Sequence, residues 1–242
     1  VTTERVALVT GGSAGIGRAI CEQLLGEGCT VISMARRKAD LVHPRLVSIE
    51  VDLMDRAATA EAAADAAQRY AITTLIHNAG VMRPALVADV QLGDLDALVE
   101  LHFAAAIQLV QAVLPAMRAA RFGRIVLLSS RAALGLATRT AYSATKSGMF
   151  GMARTWALEL APVGITVNVV APGPVRTEMF TEIVEPGSER ENKLVAAVPV
   201  GRIGEPGDVA RAVAFLADPA NGFVTGQVLY VCGGTSVGGL LL

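Results

Sequence analysis

Cysteine is scarce: Cys21, Cys29 and Cys232 are the only three in 242 residues. An odd count without framework spacing argues against a disulfide-stapled secreted scaffold, so reduced thiols serving as small apolar packing residues are expected. Histidine is as scarce, with His43, His77 and His102 scattered singly, and no CxxC or HExxH run occurs, so no metal site is expected. Net charge is nearly absent too. With 21 basic and 22 acidic side chains the formal charge is −1, and no net field draws the chain to nucleic acid or an anionic membrane. No stretch reaches the roughly 18 uninterrupted apolar residues of a membrane span. The opening Val1-Thr2-Thr3-Glu4-Arg5 is polar and does not read as a signal peptide. The expectation is a cytoplasmic protein with neither a nucleic-acid nor a membrane partner.

What is abundant is core material. Hydrophobic residues make up 52% and charged residues 18%, the opposite of a disordered chain. Short β-rich runs alternate with longer alanine-rich stretches. Val6–Thr10, Thr30–Met34, Leu46–Val51, Thr73–His77, Gly123–Ser129, Ile165–Val170 and Gln227–Val231 read as strands. Helices are expected from about Ile16 to Leu25, Asp55 to Tyr70 with Asp55 as N-cap, Leu92 to roughly Ala120 with a break or kink at Pro115, Thr140 to Leu160, and Gly207 to about Leu216 with Asp208 as cap. Regular β/α alternation of apolar strands implies a parallel sheet covered by helices on both faces. No linker or repeat divides it. The predicted fold is α/β: one doubly wound, Rossmann-like domain over 1–242 with a seven-stranded parallel sheet. Its ligand site should lie beyond the carboxyl ends of the strands, where strand order reverses. The polar segment 177–200 reads as short helices and loop that cover the substrate.

Two local patterns carry chemistry. Thr10-Gly11-Gly12-Ser13-Ala14-Gly15-Ile16-Gly17 joins the first strand to the first helix. Its glycines permit a tight turn and close approach of a pyrophosphate to a helix N-terminus, whose free N–H groups favour negative charge. The G-x-x-x-G-x-G spacing lacks a following Gly-Lys-Ser/Thr, which argues against NTP hydrolysis. Tyr142-Ser143-Ala144-Thr145-Lys146 puts a phenol and an ammonium four residues apart on one helix face. An ammonium beside a phenol lowers its pKa from about 10 toward the working range and makes it a usable acid/base. Ser129-Ser130, at the end of the preceding strand, brings hydroxyls to the same edge.

The glycine turn, Asn78-Ala79-Gly80, Ser129-Ser130, Tyr142-x-x-x-Lys146 and Pro172-Gly173 occur in this order over nearly the whole chain, which resembles the short-chain dehydrogenase/reductase family. The resemblance implies a nicotinamide cofactor and a serine–tyrosine–lysine mechanism. It assigns Gly11, Gly15 and Gly17, with Ser13 and Ile16, to the pyrophosphate turn. Asp52, with Leu53 beside it, would touch the adenine, and Asn78, Ala79 and Gly80 would meet the adenosine ribose side. Tyr142 would be the acid/base, and Lys146 would also hold the nicotinamide ribose. Pro172, Gly173, Val175 and Thr177 would meet the nicotinamide and its carboxamide. Either serine can be the catalytic one. Ser129 stands thirteen residues before Tyr142, a spacing common in the family, and Ser130 twelve. Aligning the strand favours Ser130, because strands resist length changes and loops tolerate them. Alternation points only one of the two at the substrate. Where the family usually has an asparagine serving a water-mediated proton path to the lysine, alignment puts His102, and imidazole can hold such a water.

The end of the second strand bears on cofactor type. Ala35 stands where an acidic residue would select NAD, and Arg36 follows, with Arg37 and Lys38 next. A guanidinium can grip a phosphate in bidentate fashion. The reading is therefore NADP(H) over NAD(H), although Ala14 takes a position that is often basic in NADP-dependent relatives. The expected function is interconversion of a ketone or aldehyde and an alcohol, in a direction the residues leave open. The alternatives are an NAD(H)-preferring dehydrogenase of the same type and a nucleotide sensor without turnover. A small-molecule substrate is expected, with Met179, Phe180 and Ile183 as an apolar inner face of the cover, and its identity is not readable. The apolar end at Leu240-Leu241-Leu242 suggests burial against another subunit, and relatives are often tetramers, so a homotetramer is expected.

Overall fold

Strands buried on both faces need β-branched and apolar side chains pointing both ways, and β1 (Val6–Thr10) has them. Val6 and Leu8 enter one core layer, Ala7 and Val9 the other. The computed structural model describes residues 5–237. Leu240-Leu241-Leu242, the end of the tail assigned above to a subunit contact, lies outside the described residues. Beside β1 stand β2 (Thr30–Ala35), β3 (Leu46–Glu50), β4 (Thr74–His77), β5 (Gly123–Leu128), β6 (Ile165–Pro172) and β7 (Val228–Val231). All pairings are parallel, in the order β3-β2-β1-β4-β5-β6-β7. The order reverses between β1 and β4, so the crevice beyond Thr10 and His77 is the switch point. The strand ends differ from expectation mainly at β6, which runs on to Pro172 by pairing with β7, Pro172 opposite Val231.

One core layer is completed by α2 (Arg56–Arg69), α4 (Ala105–Ala120) and α5 (Thr140–Leu160), the other by α1 (Gly15–Gly26) and α8 (Pro206–Ala217). Asp55 caps α2, its carboxylate accepting from the N–H groups of Ala57 and Ala58. Asp208 does not begin α8. The helix starts at Pro206, whose fixed φ suits a first helical position, and Asp208 accepts the Glu205 N–H from inside the first turn at 2.9 Å.

The expected break at Pro115 is absent. Pro115 lies within α4 on its exposed side, so the carbonyl it leaves without a helical partner, at Gln111, also stands on an exposed turn where water can reach it. The irregularity comes earlier, as a π-turn at Glu100–Ala104 between α3 (Leu92–Val99) and α4. Among the described residues the run Leu92–Ala120 is long and apolar enough by composition to cross a membrane. Burial of Leu98, Leu101, Leu109, Val113 and Met117 against the sheet accounts for that hydropathy. The three cysteines are free and buried, as expected. Two short helices follow β6: α6 (Glu178–Thr181), capped by Thr177, and α7 (Glu189–Ala197), capped by Ser188.

Candidate active site

The glycine turn leaves β1 and enters α1 at the switch point. Gly11 and Gly15 have φ of 65° and 52°, where a side chain is strained. Gly17 admits no side chain either, since a Cβ there would stand 2.1 Å from the Gly11 carbonyl oxygen. Ala14 precedes α1 with no capping side chain, and the first turn holds no acidic residue. The first N–H groups of α1 therefore have no helical acceptor, and no acidic side chain stands within that first turn, which suits an anionic group such as a pyrophosphate. Ser13 and Ile16 are half-buried beside this turn. Asn78 holds the turn in place, its Nδ2 donating to the carbonyls of Thr10 at 3.0 Å and Gly11 at 3.3 Å.

Ser129 and Ser130 diverge at the end of β5. Ser129 is buried and its hydroxyl donates to the Lys146 carbonyl at 2.7 Å, inside the fold. Ser130 instead begins the short turn Arg131–Leu134, its hydroxyl accepting the Ala132 N–H at 3.1 Å, and its influence on the Tyr142 phenol is to lower the phenol's pKa. Burial outweighs that effect and raises the Tyr142 pKa overall, with the Arg139 charge acting against it. This corrects the expectation that Lys146 makes the phenol more acidic. The Lys146 nitrogen lies 5.8 Å from the ring centre and donates to the Leu128 carbonyl at 2.7 Å. Burial brings the amine itself down to about 7. Tyr142 therefore stands as a neutral phenol, a proton donor.

His102 lies in the π-turn, fully buried, its ring 5.8 Å from that of Tyr142 in edge contact. The Thr145 hydroxyl donates to the Ala141 carbonyl at 3.0 Å, which leaves its oxygen to accept from His102 Nδ1 at 2.9 Å. With Nδ1 donating, Nε2 is the acceptor nitrogen, and among the described residues it has no hydrogen-bond partner. A Cβ on Gly80 would lie 3.3 Å from His102 Nε2 and 3.4 Å from Lys146 Nζ, so the two nitrogens face one small space that glycine keeps open. Burial, then the Lys146 charge and His77, hold His102 neutral well below the ordinary imidazole range.

The other predicted residues divide. Arg36 is exposed and, among the described residues, has no hydrogen-bond or ion-pair partner. Arg37 is not free: it pairs with Glu178 at 2.7 Å. Lys38 lies 3.8 Å from Glu50. Asp52 is exposed and accepts the Met54 N–H, whereas the Leu53 side chain is buried in the core and leaves only its backbone to a ligand. Ala79 and Gly80 are half-buried on the crevice side of β4. Pro172 ends β6, and Gly173 is packed so closely on Cys232 that a Cβ would stand 2.7 Å from its Cα. Val175 is a core residue, and Thr177 spends its hydroxyl on capping α6 while its methyl lies over Gly15.

Sequence reading passed over His77. The Thr10 hydroxyl accepts from the N–H groups of Asn78 and Ala79, both at 2.9 Å, so its own hydrogen is left for His77 Nδ1 at 3.2 Å. Nε2 then donates to the Leu101 carbonyl at 3.0 Å, in the π-turn. Through this one ring the end of β1 is tied to the turn that carries His102. A lone histidine in an apolar strand gave no periodic or motif signal of this.

A parallel sheet with a glycine turn at its switch point and a serine, tyrosine and lysine gathered beyond its carboxyl edge defines the dinucleotide-binding α/β class. A family model described as enoyl-(acyl carrier protein) reductase matches residues 11–236. The chain is 37% identical over 245 residues, covering 96% of it and 97% of the relative, to the (2S)-[(R)-hydroxy(phenyl)methyl]succinyl-CoA dehydrogenase subunit BbsD of Thauera aromatica. It is 35% identical over 241 residues to the 3-oxoacyl-[acyl-carrier-protein] reductase FabG of Thermotoga maritima, covering 95% and 97%. A solved structure from Beutenbergia cavernae, described as a candidate NAD(P)-dependent gluconate 5-dehydrogenase with NADP bound at low occupancy, superposes with a TM-score of 0.88 at 32% identity, covering 97% of each chain. The chain belongs to the short-chain dehydrogenase/reductase family.

Proposed function

We propose that the protein is an NADP(H)-dependent oxidoreductase that interconverts a ketone or aldehyde and an alcohol. The observation that carries this reading is the Tyr142 phenol one helical turn from buried Lys146 on α5, the Lys146 nitrogen 5.8 Å from its ring, at the edge where Ser130 follows β5. When bound, the nicotinamide would give or take the hydride at the substrate carbon.

In the reducing direction Ser130 and Tyr142 hydrogen-bond the carbonyl oxygen and stabilise the charge that develops there. Tyr142, a neutral phenol, gives up its proton to that oxygen. The Lys146 nitrogen, which donates to the Leu128 carbonyl, also borders the space beside Gly80. A water held there by His102 Nε2 passes a proton back toward the phenol. In the oxidising direction the same groups run in reverse, and Tyr142 must first lose its proton.

For the cofactor, the unpaired Arg36 guanidinium after β2 supports a 2′-phosphate contact, and so does the NADP of the Beutenbergia cavernae relative. Segment 177–200 covers the substrate, with Met179 exposed and Phe180 and Ile183 half-buried. The working form is a cytoplasmic homotetramer, consistent with three unpaired thiols. The test is loss of reduced-nicotinamide absorbance with NADPH and NADH over a panel of ketones, aldehydes and 3-oxoacyl thioesters. NADPH-preferred turnover that vanishes in Tyr142→Phe is the expected result. Turnover that survives in Tyr142→Phe would overturn the mechanism.

A further inference from the structure

Glu178 opens α6, and its carboxylate reaches back across the crevice to Arg37, 141 positions earlier, at 2.7 Å. The pair borders a cavity of about 330 Å³ whose walls include Ser13, Arg18, Lys38 and Asp40. This cavity joins the glycine turn to the turn after β2, where a substituent on the adenosine 2′-oxygen would be read.

Three cations line it, and each already faces a carboxylate. Arg18 pairs with Glu22 one turn further along α1 at 3.0 Å, and Lys38 faces Glu50 at the end of β3 at 3.8 Å. Neither Glu22 nor Glu50 belongs to the cavity wall. Glu178 does, as does Asp40, but of these two wall carboxylates Glu178 is the one that pairs with a wall cation and the one that comes from the segment beyond β6. It therefore puts a negative charge into a basic pocket and occupies a guanidinium there. Both side chains are about two-thirds exposed, so the pair is weak and exchangeable. A phosphate monoester offers the guanidinium more charge and two oxygens in fork geometry.

We propose that Glu178 is a specificity-determining residue, a built-in competitor of the cofactor's 2′-phosphate. NADP(H) takes Arg37 from Glu178, whereas NAD(H) leaves the pair intact. Because Glu178 opens α6, the exchange also removes the ionic tie between the covering segment and the turn after β2 and loosens that end of the segment. The inference rests on the nicotinamide reading above and goes beyond it, since it makes the type of cofactor act on the cover.

The test titrates the full chain with NADPH and NADH by nicotinamide fluorescence, for wild type and Glu178→Gln. Limited proteolysis of segment 177–200 follows each addition. Glu178→Gln should tighten NADPH about fivefold, the size of one exposed charge contact, and leave NADH within twofold. NADPH, and not NADH, should speed cleavage of the segment in wild type, and in Glu178→Gln cleavage should be fast without cofactor. A wild type that prefers NADPH and a Glu178→Gln variant with the same preference would overturn the role of Glu178 and spare the cofactor assignment. A wild type that binds both equally, with Glu178→Gln shifted to NADPH, would overturn the assigned preference and uphold Glu178. Failure of both proteins to bind either dinucleotide overturns both.

Discussion

Burial and charge pull in opposite directions at Tyr142, and the pH behaviour of the reaction follows from which wins. The raised pKa keeps the phenol protonated through neutral pH, so alcohol oxidation should climb with pH, while carbonyl reduction should fall only as Lys146 loses its proton near pH 7. Arg139 is one of the two groups opposing that rise. Replacing it with Leu should move the alkaline limb of the oxidation profile to higher pH, as read from kcat against pH. An unmoved limb would mean that the guanidinium does not act on the phenol. Tyr142→Phe should lower kcat roughly a hundred- to ten-thousandfold without changing the melting temperature. His102→Ala should slow turnover and alter its pH profile, with Asn, which can also hold a water, restoring part of the rate. An unchanged rate and profile in the Ala variant would remove His102 from the proton path.

The π-turn at Glu100–Ala104 is the element that decides where His102 points, and His77 decides where the turn sits. His77→Leu would leave the Thr10 hydroxyl and the Leu101 carbonyl without their shared partner. A loss of about 1–3 kcal/mol in urea unfolding is expected. Turnover should fall more than dinucleotide affinity, because Thr10 keeps its bonds to Asn78 and Ala79 at the crevice when the ring is lost, whereas the Leu101 carbonyl of the π-turn loses the ring that ties it to β4. Equal losses in both would make His77 a general support of β4. The alternation of strands and helices was legible because the buried strands are short runs dominated by apolar and β-branched residues and the longer helices α2, α4 and α8 are alanine-rich. The π-turn was not, since it inserts no residue type that marks it and depends on a bond from a strand distant in sequence. Pro115 drew the eye instead, and its exposed position made it harmless. Tyr142 and Lys146 were legible as a pair because a separation of four puts them on one helix face, whereas the spacing to Tyr142 left Ser129 and Ser130 both open and only the strand alignment favoured Ser130. The engagement of Arg37 by Glu178 was not, as nothing local joins positions 141 residues apart.

At the scale of the molecule, two neutral histidines sit in the interior. Burial pushes His77 down to about 3, and His102 moves the same way. The unfolded chain would protonate both near their ordinary value of about 6.5. The stability contributed by these two neutral rings is therefore fully present above about pH 6.5 and is lost as pH falls from there toward about 3, because only the unfolded state takes up the protons. Calorimetry from pH 7.5 to 4.5 should show the melting temperature dropping across this window, less steeply in His102→Asn. An equal slope in that variant would assign the acid sensitivity to other groups. The strand order has a last consequence, in time during synthesis. The four strands β3-β2-β1-β4 are complete once His77 has been made, whereas β5 must wait for Leu128. A chain growing from its N-terminus can thus assemble the half that carries the glycine turn while Ser130, Tyr142 and Lys146 are still untranslated. The nucleotide half can exist before any residue able to react has been added to it.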